Sequence, residues 1–214
     1  MYQRDHSETM ERCYKKICEL EELFKSDLQN IDELKIKQRM YRYLGGNTII
    51  FEMLKKGIFI FDSYIDVFRN QDVSELNIKY RVDIADKIVA LFRKFHSVLG
   101  LFCHQNPRYQ QYLFENFMNL LMLVNKLDLG QVELISEIVK DNLELATLVS
   151  ETHLKYFCNL IVHFGQREVF LKFFDTLINK PSQETLEIQK KILLVLLDEQ
   201  FINHINVNQI YFFS

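Results

Sequence analysis

The sequence predicts an all-α protein, an armadillo- or HEAT-like α-solenoid of about nine helices. Only two Pro and six Gly occur among 214 residues, which favours long helices and few tight turns. Apolar residues recur every three or four positions, as they do on one face of a helix. The helical segments follow one another through short connections, an order that suits antiparallel pairs stacked side by side. A closed helical bundle is the alternative, because no clean sequence repeat is visible.

The centre of the chain, residues 84–124, reads as a helix, a corner and a second helix. An apolar stripe begins at Ile84 and runs to Phe102. The stripe is interrupted at Asn106-Pro107, because proline disfavours helical backbone at the preceding residue and suits the first position of a new helix. A second stripe then starts, so that two apolar faces can close on each other.

Helices are also predicted before this centre, over residues 7–29 and 32–44. In the helix over 7–29, the apolar spacing places either Leu20 or Glu21 at the core position between Ile17 and Phe24. The second is drawn through five apolar residues: Leu34, Ile36, Met40, Tyr43 and Leu44.

Gly45-Gly46 ends the helix over 32–44, since glycine adopts the left-handed conformation at little cost. Asn47 is predicted to cap a short third helix that follows. Within residues 58–82, the apolar start fits either a short helix or an extended run, and the polar stretch RNQDVSELN reads as a loop.

The C-terminal half predicts shorter helices in close succession. A helix follows Gly130, and Asp141-Asn142 either closes it or caps the next one. Ser150 is placed to cap a helix over 151–164. Two further helices are predicted, one over 167–179 and one from Pro181 to about residue 199.

Three parts follow from this organisation. Residues 1–34 form an N-terminal helix leading into the solenoid, residues 35–200 form the helical domain, and residues 201–214 form an apolar tail. A solenoid needs neighbours or polar caps at its ends, and the tail is not polar. The chain is therefore interpreted as a truncated or excised block.

The composition excludes several classes of partner. A net charge of −3 and a pI near 6.1 give no general reason to expect nucleic acid or an anionic membrane. The charged N-terminus has no apolar signal core, and the apolar runs are shorter than a membrane span. The four Cys are interpreted as reduced cytosolic thiols, which leads us to expect a soluble chain without membrane-spanning segments.

No motif predicts catalysis or a cofactor. The Cys and His residues lack zinc-ligand spacing, as in Cys13 and Cys18, which lie on different sides of one helix. The sequence has no nucleophile elbow and no glycine-rich phosphate loop between a strand and a helix. We therefore expect no enzyme activity, no metal and no cofactor.

One pattern suggests anion binding, through the basic residues Lys35, Arg39, Arg42 and Arg108. The first three stand at i, i+4 and i+7 and share one helix face. Arg108 lies in the first turn after the corner, where free backbone N–H groups favour an anion. These four residues are the predicted polyphosphate site. The alternative is a solvated basic stripe beside Glu33 and Glu52.

Four segments, taken together, resemble the RIH domain, the homology region shared by inositol trisphosphate receptors and ryanodine receptors. They lie in family order and cover about residues 35–200. One contains a corner of the form F-C-x-x-N-x-x-x-Q, and another contains a short His-Phe-Gly turn followed by an aromatic-rich helix. The four segments occupy residues 38–57, 92–122, 133–151 and 153–179.

The resemblance implies a tetrameric calcium-release channel of the endoplasmic reticulum, with this chain as a regulatory or coupling block on the cytosolic face. It implies as partners the adjoining solenoid and channel domains of the same or a neighbouring subunit. In that family a first solenoid helps to grip inositol trisphosphate with basic residues. Here Arg39, Arg42 and Arg108 are basic, but Pro107 stands where another basic residue is expected. The corner and the His-Phe-Gly turn resemble a later, non-ligand solenoid.

Two other functions stay open. One is a module that binds an inositol phosphate through Lys35, Arg39, Arg42 and Arg108. The other is a stand-alone adaptor solenoid outside the channel family.

Overall fold

The structure is a computed structural model, and it describes residues 2–56, 75–123, 129–164, 168–178 and 183–198. The predicted tail at 201–214 and the apolar run after residue 57 lie outside these ranges. Within them the chain is helical without strands, which confirms the all-α prediction, and it has ten helices where about nine were predicted. The helices are α1 (Tyr2–Lys25), α2 (Ile31–Tyr43), α3 (46–56), α4 (Glu75–Cys103), α5 (Pro107–Leu123), α6 (Gln131–Val139), α7 (Leu143–Leu148), α8 (Glu151–Phe164), α9 (Glu168–Ile178) and α10 (Gln183–Leu196).

Turn and capping residues visible in the sequence account for several of the helix ends. Gly45 has a φ of +72°, so it supplies the left-handed residue that ends α2. The backbone N–H of His153 donates to Ser150 Oγ at 3.3 Å, which confirms the predicted cap of α8. The prediction for Asn47 is wrong: it lies buried within the first turn of α3, and its Oδ1 accepts no hydrogen bond from the described residues. Helix α4 also begins earlier than expected, at Glu75, so the end of the predicted polar loop is helical.

The chain divides into two compact units. The first unit comprises Met1–Asn106 together with Leu129–Gln131. The second unit comprises Pro107–Asp128 and Val132–Ser214. Each contains its own buried apolar core.

In the first unit, α1 packs against α4 with the two helices running in the same direction. Near the middle of both helices Glu11 forms an ion pair with Lys87 at 3.2 Å. Near their C-terminal ends Phe24 meets Phe102 edge to face, with ring centroids 4.7 Å apart. Tyr41 of α2 stacks on Phe102 at 4.8 Å and completes an aromatic core from three helices.

A buried carboxylate joins the same two helices. Glu21 of α1, which takes the core position left open between Leu20 and Glu21, is only 2 % exposed. It accepts hydrogen bonds from Lys94 Nζ at 2.5 Å and Ser97 Oγ at 2.6 Å, and it pairs with Lys25 at 2.9 Å. Burial opposes ionisation, but these hydrogen bonds outweigh it and lower the pKa of Glu21 to about 2.

A buried histidine connects α4 to the segment that precedes α6. His96 Nδ1 lies 2.8 Å from the carbonyl oxygen of Leu129, so Nδ1 carries the proton and donates it. Its Nε2 is buried and has no hydrogen-bond partner among the residues that the structure describes. Burial disfavours the charged ring and lowers the pKa of His96 to about 4, although the bond to Leu129 partly offsets this effect.

Stability should therefore fall in mild acid because of His96. The folded-state pKa of about 4 lies below the ordinary value of 6.5, so the unfolded chain binds a proton first. We expect the free energy of unfolding to drop by about 1 kcal/mol between pH 6.5 and 5.5 from this residue alone. In the His96→Asn variant, which keeps an N–H donor without the titration, that part of the slope should disappear. Urea denaturation across this pH range measures it.

The difference between the two proteins isolates His96, because other groups contribute to both. Burial also lowers the pKa of His153, which adds a slope of the same sign to wild type and variant. Glu21 adds its own slope only in stronger acid, below its ordinary pKa of 4.5. Identical slopes in wild type and His96→Asn would contradict the prediction.

In the second unit, α10 contacts α7, α8 and α9. The core is built on Phe157 of α8 and Phe173 of α9, whose rings stack with centroids 3.6 Å apart. Both units also bring together helices three positions apart in the chain, α1 with α4 and α7 with α10. Armadillo repeats contain up to three helices, so this packing agrees with the predicted solenoid class.

Candidate functional site

The corner between α4 and α5 is closed by a buried glutamine of α2. Gln38, 4 % exposed, donates from Nε2 to the carbonyl oxygens of Leu101 at 2.9 Å and His104 at 3.2 Å. These carbonyls lie at the C-terminal end of α4, where a helix leaves acceptors without internal partners. Gln38 Oε1 accepts from Asn106 Nδ2 at 2.9 Å. Gln105, between helix end and asparagine, has a φ of +49°.

The corner between α6 and α7 is closed in the same way by a glutamine of α5. Gln110 is also 4 % exposed, and its Nε2 donates to the carbonyl oxygens of Glu137 at 3.0 Å and Lys140 at 2.8 Å. Its Oε1 accepts from Asn142 Nδ2 at 3.1 Å. Asp141, directly before this asparagine, has a φ of +56°.

The two corners are one structural repeat. In both, the glutamine bonds the carbonyls five and two residues before the asparagine, and the residue before the asparagine has a positive φ. In both, the asparagine N–H donates to the carbonyl three residues earlier, Cys103 at 3.0 Å and Val139 at 3.2 Å. We call each set a glutamine clamp: Gln38 with Asn106, and Gln110 with Asn142. Each unit contains one clamp.

A clamp fixes how one helix ends and where its neighbour lies. Gln38 and Gln110 each reach a helix end that is distant in sequence, and they supply donors to carbonyls that the helix leaves without internal partners. The two glutamines are buried, so a shift of the helices would leave their amide groups unpaired away from water. The clamps therefore oppose movement of each helix end relative to its neighbouring helix. The role of the clamps is structural, since no group in a clamp is ionised or nucleophilic.

The predicted polyphosphate residues occupy exposed positions. Lys35, Arg39 and Arg42 share one face of α2 in the first unit, and Arg39 Nε donates to the carbonyl of Lys35 at 3.3 Å. Arg108 is exposed in the first turn of α5, in the second unit. None of the four forms an ion pair with a carboxylate of the described residues. Polyphosphate binding by these residues stays a prediction.

A groove of about 340 Å³ lies beside the second clamp, between the α6–α7 corner and α9. Lys140 and Lys172 line it together with Asp141 and Asp175. These side chains bring equal numbers of both charges, so the groove does not favour an anion or a cation.

The part of the chain that the structure describes contains neither a membrane-spanning helix nor a metal-binding cluster. None of the helices there combines the length and the apolar composition needed to cross a membrane. No group of three His, Cys, Asp or Glu side chains there is arranged to hold a metal ion. Burial raises the pKa of the Cys158 thiol to about 11, so this cysteine is protonated at neutral pH and packs as a small apolar group.

The clamp glutamines were missed by sequence reasoning about sites, although a signal for them existed. Gln110 closes the corner F-C-x-x-N-x-x-x-Q, and Asn106 is its asparagine. Gln38 follows the fully buried Leu34 by one helical turn, so it occupies a core position with a polar side chain. A glutamine at a core position, one turn from an apolar residue, indicates a buried hydrogen-bonding role.

Packed helices without strands among the described residues, with two corners closed by clamps, agree with an all-α protein of the solenoid-like class. The family model of the RIH domain matches residues 13–202, most of the chain. The chain therefore belongs to the RIH domain family, the domain of the inositol trisphosphate and ryanodine receptor type. The resemblance described from the sequence is thereby confirmed.

Proposed function

We propose that this chain is a regulatory or coupling block of a calcium-release channel of the inositol trisphosphate or ryanodine receptor type. It acts on the cytosolic face of the endoplasmic reticulum and passes ligand-induced motion between adjoining solenoid and channel domains. It has no catalytic step and no cofactor. Family membership supports the channel class.

The glutamine clamps are the observation on which the coupling role depends. A block can pass on a tilt only if its helices move together, and each clamp ties a helix end to a neighbouring helix through three side-chain hydrogen bonds. The glutamine of each clamp is buried, so water reaches its side of these bonds less readily. The clamps thereby oppose deformation within each unit, so a displacement of one surface of the unit also displaces its other surfaces.

The proposal predicts that loosening a clamp weakens coupling between ligand and calcium release. With Gln110→Ala introduced into the gene, endoplasmic-reticulum vesicles should need about fivefold more agonist for half-maximal release, within the usual range of coupling free energies. Gln111→Ala is the matched control, because Gln111 is exposed and, among the described residues, its side chain bonds only Glu115 of its own helix, at 3.0 Å. Release is measured with a calcium-sensitive dye in vesicles.

Two further measurements keep the result interpretable. Immunoblots of the same vesicles normalise release to channel abundance, and agonist binding separates coupling from ligand affinity. Unchanged sensitivity in Gln110→Ala channels present at normal abundance would contradict the coupling role. A chain absent from these vesicles would contradict the channel assignment.

A further inference from the structure

Helix α2 turns an apolar stripe outward. Four of the five apolar residues through which this helix was predicted are exposed: Ile36 is 49 % exposed, Met40 58 %, Tyr43 85 % and Leu44 78 %. They stand at i, i+4, i+7 and i+8, and therefore form one continuous strip along the helix. Exposed apolar side chains are common on protein surfaces, and α10 also exposes aligned leucines. The α2 stripe indicates an interaction surface because of the charges that flank it.

The orientation of α2 is fixed by what its opposite side contacts. Leu34 is fully buried, Gln38 forms the first clamp, and Tyr41 stacks on Phe102 at 4.8 Å. Rotating the helix to bury the stripe would break all three contacts. The stripe is thus exposed because the clamp requires the other face of α2 to be inside.

One flank of the stripe is cationic. Lys35, Arg39 and Arg42 lie along it, exposed and without carboxylate partners among the described residues. The other flank differs: Glu33 bonds Asn30 Nδ2 at 2.9 Å, and Lys37 pairs with Asp27. We call the stripe together with its cationic flank the α2 outer face.

We infer that the α2 outer face docks an amphipathic α-helix of a partner protein, with an apolar face and carboxylates along one edge. The inference rests on the proposed coupling function and deepens it by stating the chemistry of one partner segment. Apolar positions at helical spacing match the ridges and grooves of a second helix lying alongside. Glutamate or aspartate on the partner's edge would face Lys35, Arg39 and Arg42 and would set its direction.

A polyphosphate ligand would contact only the cationic part of the α2 outer face. It would engage the ammonium and guanidinium groups of Lys35, Arg39 and Arg42 and leave Met40 and Tyr43 in water. An acidic helix covers both the charges and the stripe, so one occupant explains both features.

A membrane surface and a second copy of the chain fit less well for electrostatic reasons. Anionic lipid favours basic residues on both flanks of an interfacial helix, whereas α2 carries Asp32 and Glu33 in its first turn. Two α2 helices paired antiparallel about a two-fold axis set their cationic flanks against each other, which is repulsive. A parallel pair sets each cationic flank against the other flank, where Glu33 already accepts from Asn30 and Lys37 is an additional cation.

The test uses the full 214-residue chain and a labelled synthetic helix with leucines on one face and glutamates along one edge. Fluorescence anisotropy should show binding that weakens with salt. An isomeric peptide of equal composition, with its leucines spread round the helix, should bind at least about tenfold more weakly. The variants Met40→Ser and Arg39→Glu should each weaken binding by about fivefold or more. These positions are exposed, so the fold is expected to survive both changes.

Matched controls come from α10, which also has exposed leucines and a lysine. Leu193→Ser and Lys190→Glu should leave the affinity within about twofold of wild type. Absence of binding, equal binding of the isomeric peptide, or equal losses in the control variants would overturn the inference. So would α2-dependent binding to vesicles of phosphatidylserine, α2-dependent self-association, or inositol trisphosphate binding that needs Arg39 but not Met40.

The failure of this inference is distinguishable from failure of the proposed function. Peptide binding depends on the α2 outer face, whereas the release assay depends on the clamp of Gln110. Loss of peptide binding with a normal effect of Gln110→Ala on calcium release would remove the docking site alone.

Discussion

Replacing Gln110 with alanine should lower the free energy of unfolding by about 3 to 5 kcal/mol. The change leaves the carbonyl oxygens of Glu137 and Lys140 and the side-chain amide of Asn142 without their partner at the second clamp. Each buried polar group left unpaired costs about 1 to 3 kcal/mol, and water entering the vacated space recovers part of that sum. Urea denaturation followed by circular dichroism, with linear extrapolation to zero denaturant, measures the loss.

The neighbouring residue provides the control for this prediction. Gln111→Ala makes the same chemical change one position along α5, at an exposed site, and should cost less than about 0.5 kcal/mol. Gln38→Ala should cost a similar amount to Gln110→Ala, because its bonds at the first clamp have the same pattern. Equal stabilities of the Gln110 and Gln111 variants would show that the clamp bonds contribute nothing net.

Apolar periodicity was sufficient to predict the helices but not which way each one faces. The spacing of Ile36, Met40 and Tyr43 correctly indicated a helix, and the same spacing suggested an inward stripe that the structure exposes. Apolar periodicity identifies the more hydrophobic face of a helix, but it carries no information about hydrogen bonds that hold a polar face inside. Gln38 is instead held inside by hydrogen bonds to a helix end 63 residues away in sequence, which no local pattern encodes.

The positions of the two corners could be predicted from the sequence, but their hydrogen bonding could not. Asn106-Pro107 and Asp141-Asn142 interrupt helical patterns by their own backbone preferences, so they mark where the helices end. The structural repeat of the two corners could not be predicted from the sequence. It consists of backbone carbonyls, one residue with a positive φ and one glutamine–asparagine pair, and every residue type has the same backbone carbonyl. Only the glutamine and asparagine of each clamp are visible in the sequence.

The same limit applies to the core position in α1. Periodicity left Leu20 and Glu21 as alternatives, and hydrophobicity alone would favour the leucine. The structure buries the glutamate, because Lys94, Ser97 and Lys25 approach its carboxylate. Two of these groups belong to α4, so a tertiary contact decided a question that local sequence could not.

Replacing this glutamate with glutamine should destabilise the first unit by about 3 kcal/mol at neutral pH. The carboxylate is held by charged and hydroxyl donors, and a pKa lowered from 4.5 to about 2 corresponds to a free energy of that order. Because the folded-state pKa is the lower one, this stabilisation is complete above pH 4.5 and is lost as the pH falls toward 2. The Glu21→Gln variant should thus converge with wild type in acid.

Urea denaturation at constant ionic strength across that pH range tests the prediction, with Glu22→Gln as the matched control. The Glu22 side chain is 74 % exposed and lies 3.9 Å from Lys25, so its loss should cost less than about 0.5 kcal/mol at any pH. A deficit of Glu21→Gln that stayed constant from neutral pH to pH 2 would assign the loss to packing. Convergence in acid would assign it to the ionised carboxylate that joins α1 to α4.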